Sequence, residues 1–483
     1  MVKRLAIILF LLSVLGSSIA TRAQVPTVPT GICPYTTHKL SLACLIPDLT
    51  QTGTSQNLAR FNTTIAQVLG QLPLAAPVSG FVLGFDKATG QFIPLNENLG
   101  SVLTERGNTV GKHKVFLGFT AQRFVFHAID GINLSNLPSA FQLPSVYQCA
   151  SSGTAAPPQC PNGPIISVTN IYGASVNFMT ANMNQYTGII AFGLTDRIDI
   201  SLTVPFERVS LSAGNRDYTN ALLTYNSSGV LQSAGVCSPQ PCYPPGAPAT
   251  NFVGGSASGF GDILVNMKGT VVAGEKNKLA LGLEARFPTG NEYNLLGTGA
   301  FGVKPYVVFS RLGRVTPHVN LGYQWNDYSN LYINNCYFAG TCSSASSSAL
   351  PTLQLPHSLD YSVGVDIGLV KKLTVVGDYV GQHYFNAPEV TPAVTAGGTV
   401  PGLPNCTATS PPAACTYPGF PQFASSKTVG VTTGSINVDN VALGLKVNPV
   451  GRLILSANAL IRLDTGGLRP DRFVPLIGIS YRF

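Results

Sequence analysis

Residues 315–326 read VTPHVNLGYQWN, and apolar and polar positions alternate along them. Val315, Pro317, Val319, Leu321, Tyr323 and Trp325 fall on one side of an extended chain. Thr316, His318, Asn320, Gly322, Gln324 and Asn326 fall on the other. Successive side chains of a strand point to opposite faces, so a period of two marks a strand with one apolar and one polar face. LALGLEARF (279–287) and DYSVGVDIGL (360–369) repeat the pattern. So does VPLIGISYRF (474–483), with Pro475, Ile477, Ile479, Tyr481 and Phe483 on one side.

Extending this reading gives twelve strands, near 109–127, 170–194, 197–212, 258–273, 278–289, 302–312, 315–327, 357–370, 373–387, 433–447, 452–464 and 472–483. Their connections alternate in length. LTDR (194–197), GEKN (274–277), LGR (312–314), KK (371–372) and NPVG (448–451) are short; 128–169, 213–257, 290–301, 328–356, 388–432 and 465–471 are longer. An up-and-down sheet with such connections has one plain end and one elaborate end. The cysteines agree with that division. They fall in five local couples: Cys33 with Cys44, Cys149 with Cys160, Cys237 with Cys242, Cys336 with Cys342, and Cys406 with Cys415. Four of the couples lie in the long connections. An even count in an exported chain points to disulfides, and neighbours close the smallest loops. CxxC spacing and clustered histidines are missing, so a metal site is not expected.

A two-faced sheet can be a soluble sandwich or a membrane barrel, and composition decides between them. Only 10% of the 483 residues are charged, against about 25% in ordinary globular chains. The polar faces carry Gly, Ser and Asn more than charge, as the inner wall of a barrel does and the wet face of a sandwich does not. Strands of eleven residues or more match the roughly 9–11 tilted residues that cross a bilayer. Aromatics gather near strand ends, at Tyr306, Tyr323, Trp325, Tyr379, Phe385, Tyr481 and Phe483, as interfacial girdles do. Lipid leaves no backbone group unpaired, so the sheet must close. The expected fold is an all-β, closed antiparallel up-and-down transmembrane barrel of about twelve strands over residues 109–483, in a bacterial outer membrane and in contact with its lipids.

The chain start reads as an export signal. Lys3 and Arg4 precede LAIILFLLSVLG (5–16) and then small residues, so residues 1–23 read as a signal peptide cut after Ala20 or Ala23. Residues 24–108 alternate less cleanly: TSQNLARFNTTIAQVLGQL (54–72) has helical spacing, and FVLGFDKATGQFIP (81–94) reads as a hairpin. This segment is either a plug in the lumen or an extension outside it. The net charge of +8 is spread without a dense basic run, which gives nucleic acid no footprint.

FGLTDRIDISLTVPF (192–206), GFGDILVNMKG (259–269), LALGLEARFPTG (279–290) and GVKPYVVFS (302–310) resemble the meta-pathway phenol-degradation family of outer-membrane proteins, which is similar in style to the long-chain fatty-acid transporters. The likeness covers about 170–483. It implies a barrel that takes up small hydrophobic or aromatic molecules without a cofactor. The last strand also resembles the terminal strand of outer-membrane barrels, and that likeness implies that Phe483 helps the assembly machinery recognise the chain.

On this register Asp262, Lys268, Glu284, Arg286, His318, Asp366, Asp378 and Arg462 line the lumen, with Asn266 and Lys446 beside them. Both signs of charge occur, which suits a field that orders water and sieves small solutes. Glu284 and Arg286 share one strand face and form the first pair to test. NEYNLLGTGAF (291–301) is either a loop folded inward on Leu295 and Leu296 or a packed rim hairpin. The rival functions are a surface adhesin and a lipid hydrolase. No catalytic residues are assigned: GxSxG and HExxH do not occur, and His383 stands alone on the outward register.

Overall fold

The computed structural model describes Leu42, Ile65, Leu99 and residues 83–86, 91–94, 103–149, 154–155, 165–226, 231–236, 251–329, 353–370, 372–395, 426–450, 452–470 and 473–482. The signal segment, 1–23, lies outside these residues. So do nine of the ten cysteines expected to pair: Cys33, Cys44, Cys160, Cys237, Cys242, Cys336, Cys342, Cys406 and Cys415. The tenth, Cys149, ends a strand, Leu137–Cys149, and its expected partner Cys160 is not among the described residues. No disulfide is therefore seen among the described residues, and the five bridges stand as an expectation of the sequence.

Twelve strands form the barrel wall. They are β1 (Val115–Ile129), β2 (Ile165–Gly193), β3 (Ile198–Asn226), β4 (Asn251–Phe260 continued by Ile263–Ala273), β5 (Asn277–Phe287) and β6 (Gly302–Arg311). The second half comprises β7 (Val315–Asn326), β8 (Ser358–Val370), β9 (Leu373–Thr395), β10 (Ser426–Val450), β11 (Leu453–Arg462) and β12 (Phe473–Arg482). Each pairs antiparallel with the next, and β12 returns to β1 from Leu476↔Gln122 to Arg482↔Phe116. The ring is therefore closed and every strand has two neighbours, as lipid requires. No described helix is long and apolar enough to cross a membrane.

The short turns, 194–197, 274–276, 312–314, 371–372 and 451–452, all lie at one end. This is the plain, periplasmic end, and the long connections crown the other. β2 and β3 are 29 residues long and β10 is 25, whereas roughly 9–11 residues cross the bilayer. Their outer parts therefore stand above the membrane, which the narrower sequence boundaries did not anticipate. At the other extreme, β1 begins at Val115 and not at 109. Thr109 and Val110 are buried and bonded to β3 and the turn before it, and His113 takes a left-handed φ of 58° that no strand tolerates.

The alternation holds along the wall. Val319, Leu443 and Ile477 are 44%, 52% and 62% exposed on the outside, while His318 and Asp366 are completely buried inside. The outer face is a continuous apolar band, and it is edged by aromatic rings. Tyr323, Trp325, His357, Phe385 and His383 contact one another at the elaborate end, and Tyr481 faces out at the plain end. Such a surface is stable only against acyl chains. Tyr306 is a correction to the expected girdle. It faces inward, its ring lies over Gly282, and its hydroxyl donates to Asn266 Oδ1 at 2.9 Å.

The interior has two layers. Toward the periplasmic end the inward residues are polar, among them Thr120, Gln185, Asp199, Lys268, Thr316 and Asp378. Toward the outer end on β1–β3, β11 and β12 they are apolar: Phe124, Phe126, Met183, Val209, Leu211, Leu460 and Val474. Leu42 and Ile65 of the N-terminal segment belong to this same apolar cluster, together with Leu295 and Leu296.

Candidate functional site: a chain segment bound across the lumen

Residues 103–110 cross the barrel interior near its periplasmic end. They carry no apolar period, and what holds them is hydrogen bonding to the walls. Thr104 Oγ1 lies 2.7 Å from His318 Nε2 and donates to Asp378 Oδ1 at 3.3 Å. Arg106 forms a buried ion pair with Asp366, to which its Nε also donates at 3.0 Å. Glu105 points to the opposite wall, where Lys268 Nζ donates to it at 2.8 Å and Asn266 Nδ2 at 3.1 Å. Gly107 donates to Ser310 Oγ at 3.1 Å and accepts from Thr270 Oγ1 at 2.6 Å. Val110 N donates to Asp199 Oδ2 at 2.7 Å, and Leu99 N donates to Thr374 Oγ1 at 2.8 Å.

The spacing explains the fit. Successive side chains of an extended segment point opposite ways, so Thr104 and Arg106 address β7–β9 while Glu105 addresses β4. The walls supply charge of the matching sign: acids on β8 and β9, an ammonium on β4. His318 carries a carboxylate beside each ring nitrogen, Asp366 Oδ2 at 3.4 Å from Nδ1 and Asp378 Oδ1 at 2.8 Å from Nε2. Gly107 is needed as glycine, because a Cβ there would stand 2.8 Å from the Lys278 carbonyl oxygen.

The structure thus brings together His318, Asp366 and Asp378, and places Lys268 across the bore from them. The pairing of Glu284 with Arg286 does not form. Glu284 instead binds Lys304 Nζ at 2.9 Å, and Lys304 reaches on to Asp360 at 3.4 Å. Arg286 donates to Asn326 Oδ1 at 2.7 Å and lies 3.9 Å from Asp262. Neighbouring inward residues two apart on a strand lean toward the flanking strands, where the closer partners are. Asp262 anchors a loop: Oδ1 accepts from Gly290 N at 3.1 Å, and Oδ2 from Thr298 N at 2.8 Å and Thr298 Oγ1 at 2.5 Å. Arg462 braces the last outer connection through Asp464 Oδ1 and the Leu468 carbonyl.

Sequence reasoning missed Thr104, Glu105 and Arg106, which lie in a stretch without periodicity. It also missed Lys304 and Asp360. Their strands carry the signal, since GVKPYVVFS sets Val303, Val307 and Phe309 outward and so Lys304 inward.

His383 sits on the outer girdle. It lies edge-on to Phe385 with ring centroids 4.7 Å apart and bonds Asn437 Oδ1 at 2.5 Å.

Comparison with known proteins follows from the barrel. Residues 181–390 match the family model described as "Putative MetA-pathway of phenol degradation". This is the family that the strand and turn motifs resemble. Among solved structures, the chain is similar to the COG4313 outer membrane channel from Pseudomonas putida F1, at 10% identity and TM-score 0.37, over 78% of this chain and 97% of that one. It is similar to a Pseudomonas aeruginosa FadL homologue at 9% identity and TM-score 0.27, over 77% and 90%. It is also similar to the P. putida toluene transporter TodX at 7% identity and TM-score 0.29, over 77% and 89%. No curated protein matches. With its lipid-facing band and closed ring, the chain is a barrel of the bacterial outer membrane.

Proposed function

We propose that this barrel is a passive channel for small hydrophobic or aromatic molecules, and that residues 103–110 shut its periplasmic mouth until they move. The observation that carries the reading is the layered interior: a packed apolar layer on β1–β3, β11 and β12 toward the outside, above a polar ring occupied by a segment of the chain itself. The segment is fixed to the ring through ion pairs and hydrogen bonds, which water can replace when it leaves. The family description adds support, since it concerns the handling of phenol.

The segment acts here as a plug, and the lumenal charges act first on it and only then on a solute. Single-channel recording in planar bilayers tests this. The intact protein is expected to show low conductance with rare openings, and Arg106→Ala is expected to raise the open fraction several-fold. Conductance in the variant equal to that of the intact protein would sink the plug. Assembly through Phe483 is part of the same reading: Phe483→Ala is expected to lower the folded yield in cells without altering channels that do assemble.

A further inference from the structure

We propose that the outer face of β1–β4, at Arg123, Asn184 and Arg208, binds the phosphate of an anionic glycolipid in the outer leaflet. The site belongs to the lipid-facing surface and does not depend on passage of a solute. Depth locates it. β3 leaves its periplasmic turn at Ile198, and its outward side stays apolar through Ile200 and Leu202 to Phe206. That stretch matches the roughly 9–11 tilted residues that cross a bilayer. Phe206 pairs with Tyr186 of β2 and Phe260 of β4, and all three rings face out. Phe206 meets Phe260 edge-on with centroids 5.6 Å apart, and Tyr186 stacks on Phe119 of β1 at 6.4 Å. These rings mark the outer membrane boundary on this side of the barrel.

The next outward rung changes character. Arg123 pairs with Asn184, Asn184 with Arg208, and Arg208 with Ser258. Both arginines are exposed, and neither has an acid partner among the described residues. The rungs above carry Asn182, Ser210 and Ser256, then Thr180 and Ser212, whose hydroxyls lie 2.5 Å apart. No acid faces out on these rungs among the described residues. The opposite arc differs. On β8–β10, one rung below His383, Tyr361 stacks on Tyr379 at 6.2 Å and donates to Asp439 Oδ1 at 2.8 Å.

Two unpaired cations at the edge of the acyl layer call for an anion at that height. Neighbouring strands lie about 4.8 Å apart, so the two arginine backbones stand roughly 10 Å apart with Asn184 between them. Their long side chains can converge on one phosphate above the Asn184 amide. The guanidinium fork suits that group, since it gives a phosphate two parallel hydrogen bonds. The aromatic rung below receives the acyl chains. The hydroxyl and amide rungs above meet the sugar that carries the phosphate. A phospholipid presents no sugar to those rungs, which favours the glycolipid.

Native mass spectrometry of the full chain in detergent micelles tests the site. The probes are diphosphorylated lipid A, the same lipid A with both phosphates removed, and phosphatidylglycerol. The chain is expected to retain diphosphorylated lipid A about tenfold more tightly than either of the others. Arg123→Ala combined with Arg208→Ala is expected to remove that preference, and Arg208→Gln alone to weaken it several-fold. Asp439→Asn, on the opposite arc, is expected to leave it intact. The preference is expected to survive EDTA, because arginines and not a bridging cation hold the phosphate. A folded form that shifts on heating in gel electrophoresis identifies variants that assemble.

Equal retention of phosphorylated and dephosphorylated lipid A by the parent chain would overturn the site without any variant. An unchanged preference in both arginine variants, or its loss in EDTA, would also overturn it. Phosphatidylglycerol held as tightly as lipid A would overturn the glycolipid assignment, since the arginines would then take any lipid phosphate.

Discussion

Arg106 and Asp366 stand 260 positions apart in the chain and share a completely buried ion pair. Removing one partner strands the other in a medium that cannot solvate it, at a cost of about 3–5 kcal/mol. Arg106→Leu or Asp366→Leu is therefore expected to lower the unfolding midpoint in detergent more than the two changes made together. Additive losses in that double-mutant cycle would show that the pair does not couple the segment to the wall. Gly282 makes a second point at this scale. The Tyr306 ring covers it, and the ring's hydroxyl then reaches Asn266. Gly282→Val should push the ring off, costing roughly 1–3 kcal/mol from overpacking, readable as a lower thermal midpoint.

At the scale of elements, the connection between β5 and β6 shows how one side chain folds a loop. Asn291 caps a short 3-10 turn, Glu292–Asn294, and Leu295 ends it in a left-handed conformation with φ 59°. That geometry turns Leu295 and Leu296 into the barrel, where they are 2% and 4% exposed. The loop folds inward because Asp262 collects three donors from it, at Gly290 and Thr298. Asp262→Ala leaves the backbone N–H groups of Gly290 and Thr298 without that acceptor and should free the loop. Chymotrypsin is then expected to cut at Tyr293 or Leu295 in the variant and to leave the parent chain intact; equal resistance would mean that apolar burial alone holds the loop. Asp262 can serve this way because β4 breaks at 261–262, where Gly261 N pairs with the Pro205 carbonyl.

For the whole molecule, closure is the governing constraint. A single open edge would place a row of backbone donors and acceptors in hydrocarbon, each costing several kcal/mol. Removing 473–483 takes away the strand that joins β11 to β1. The truncated chain is expected to give no heat-modifiable folded band after refolding in detergent, and a folded band would show that β11 can pair with β1 directly. The same constraint explains why the wall was readable before the structure. β5, β7 and β8 face lipid on one side and the lumen on the other, so 279–287, 315–326 and 360–369 each carry an unmixed alternation. β12 was legible for its outward side only: Val474 and Leu476, on the inner side, are apolar and 1% exposed, because there the lumen is filled by hydrophobic packing and not by water.

Local sequence determined what each wall residue faces, since a strand's two faces meet different solvents and a period of two records that difference. It determined the strand number, their order, the plain end and the sign of charge at Lys268, Asp366 and Asp378. Tertiary structure alone decided what those charges do. Arg106 and Glu105 come from a segment with no periodicity, and a segment held by separate bonds to several strands leaves no repeating mark in the chain. Which acid finds which base, and that Glu284 prefers Lys304 to its strand-mate Arg286, follows from curvature that brings distant strands within about 3 Å, a distance that no spacing along the sequence encodes.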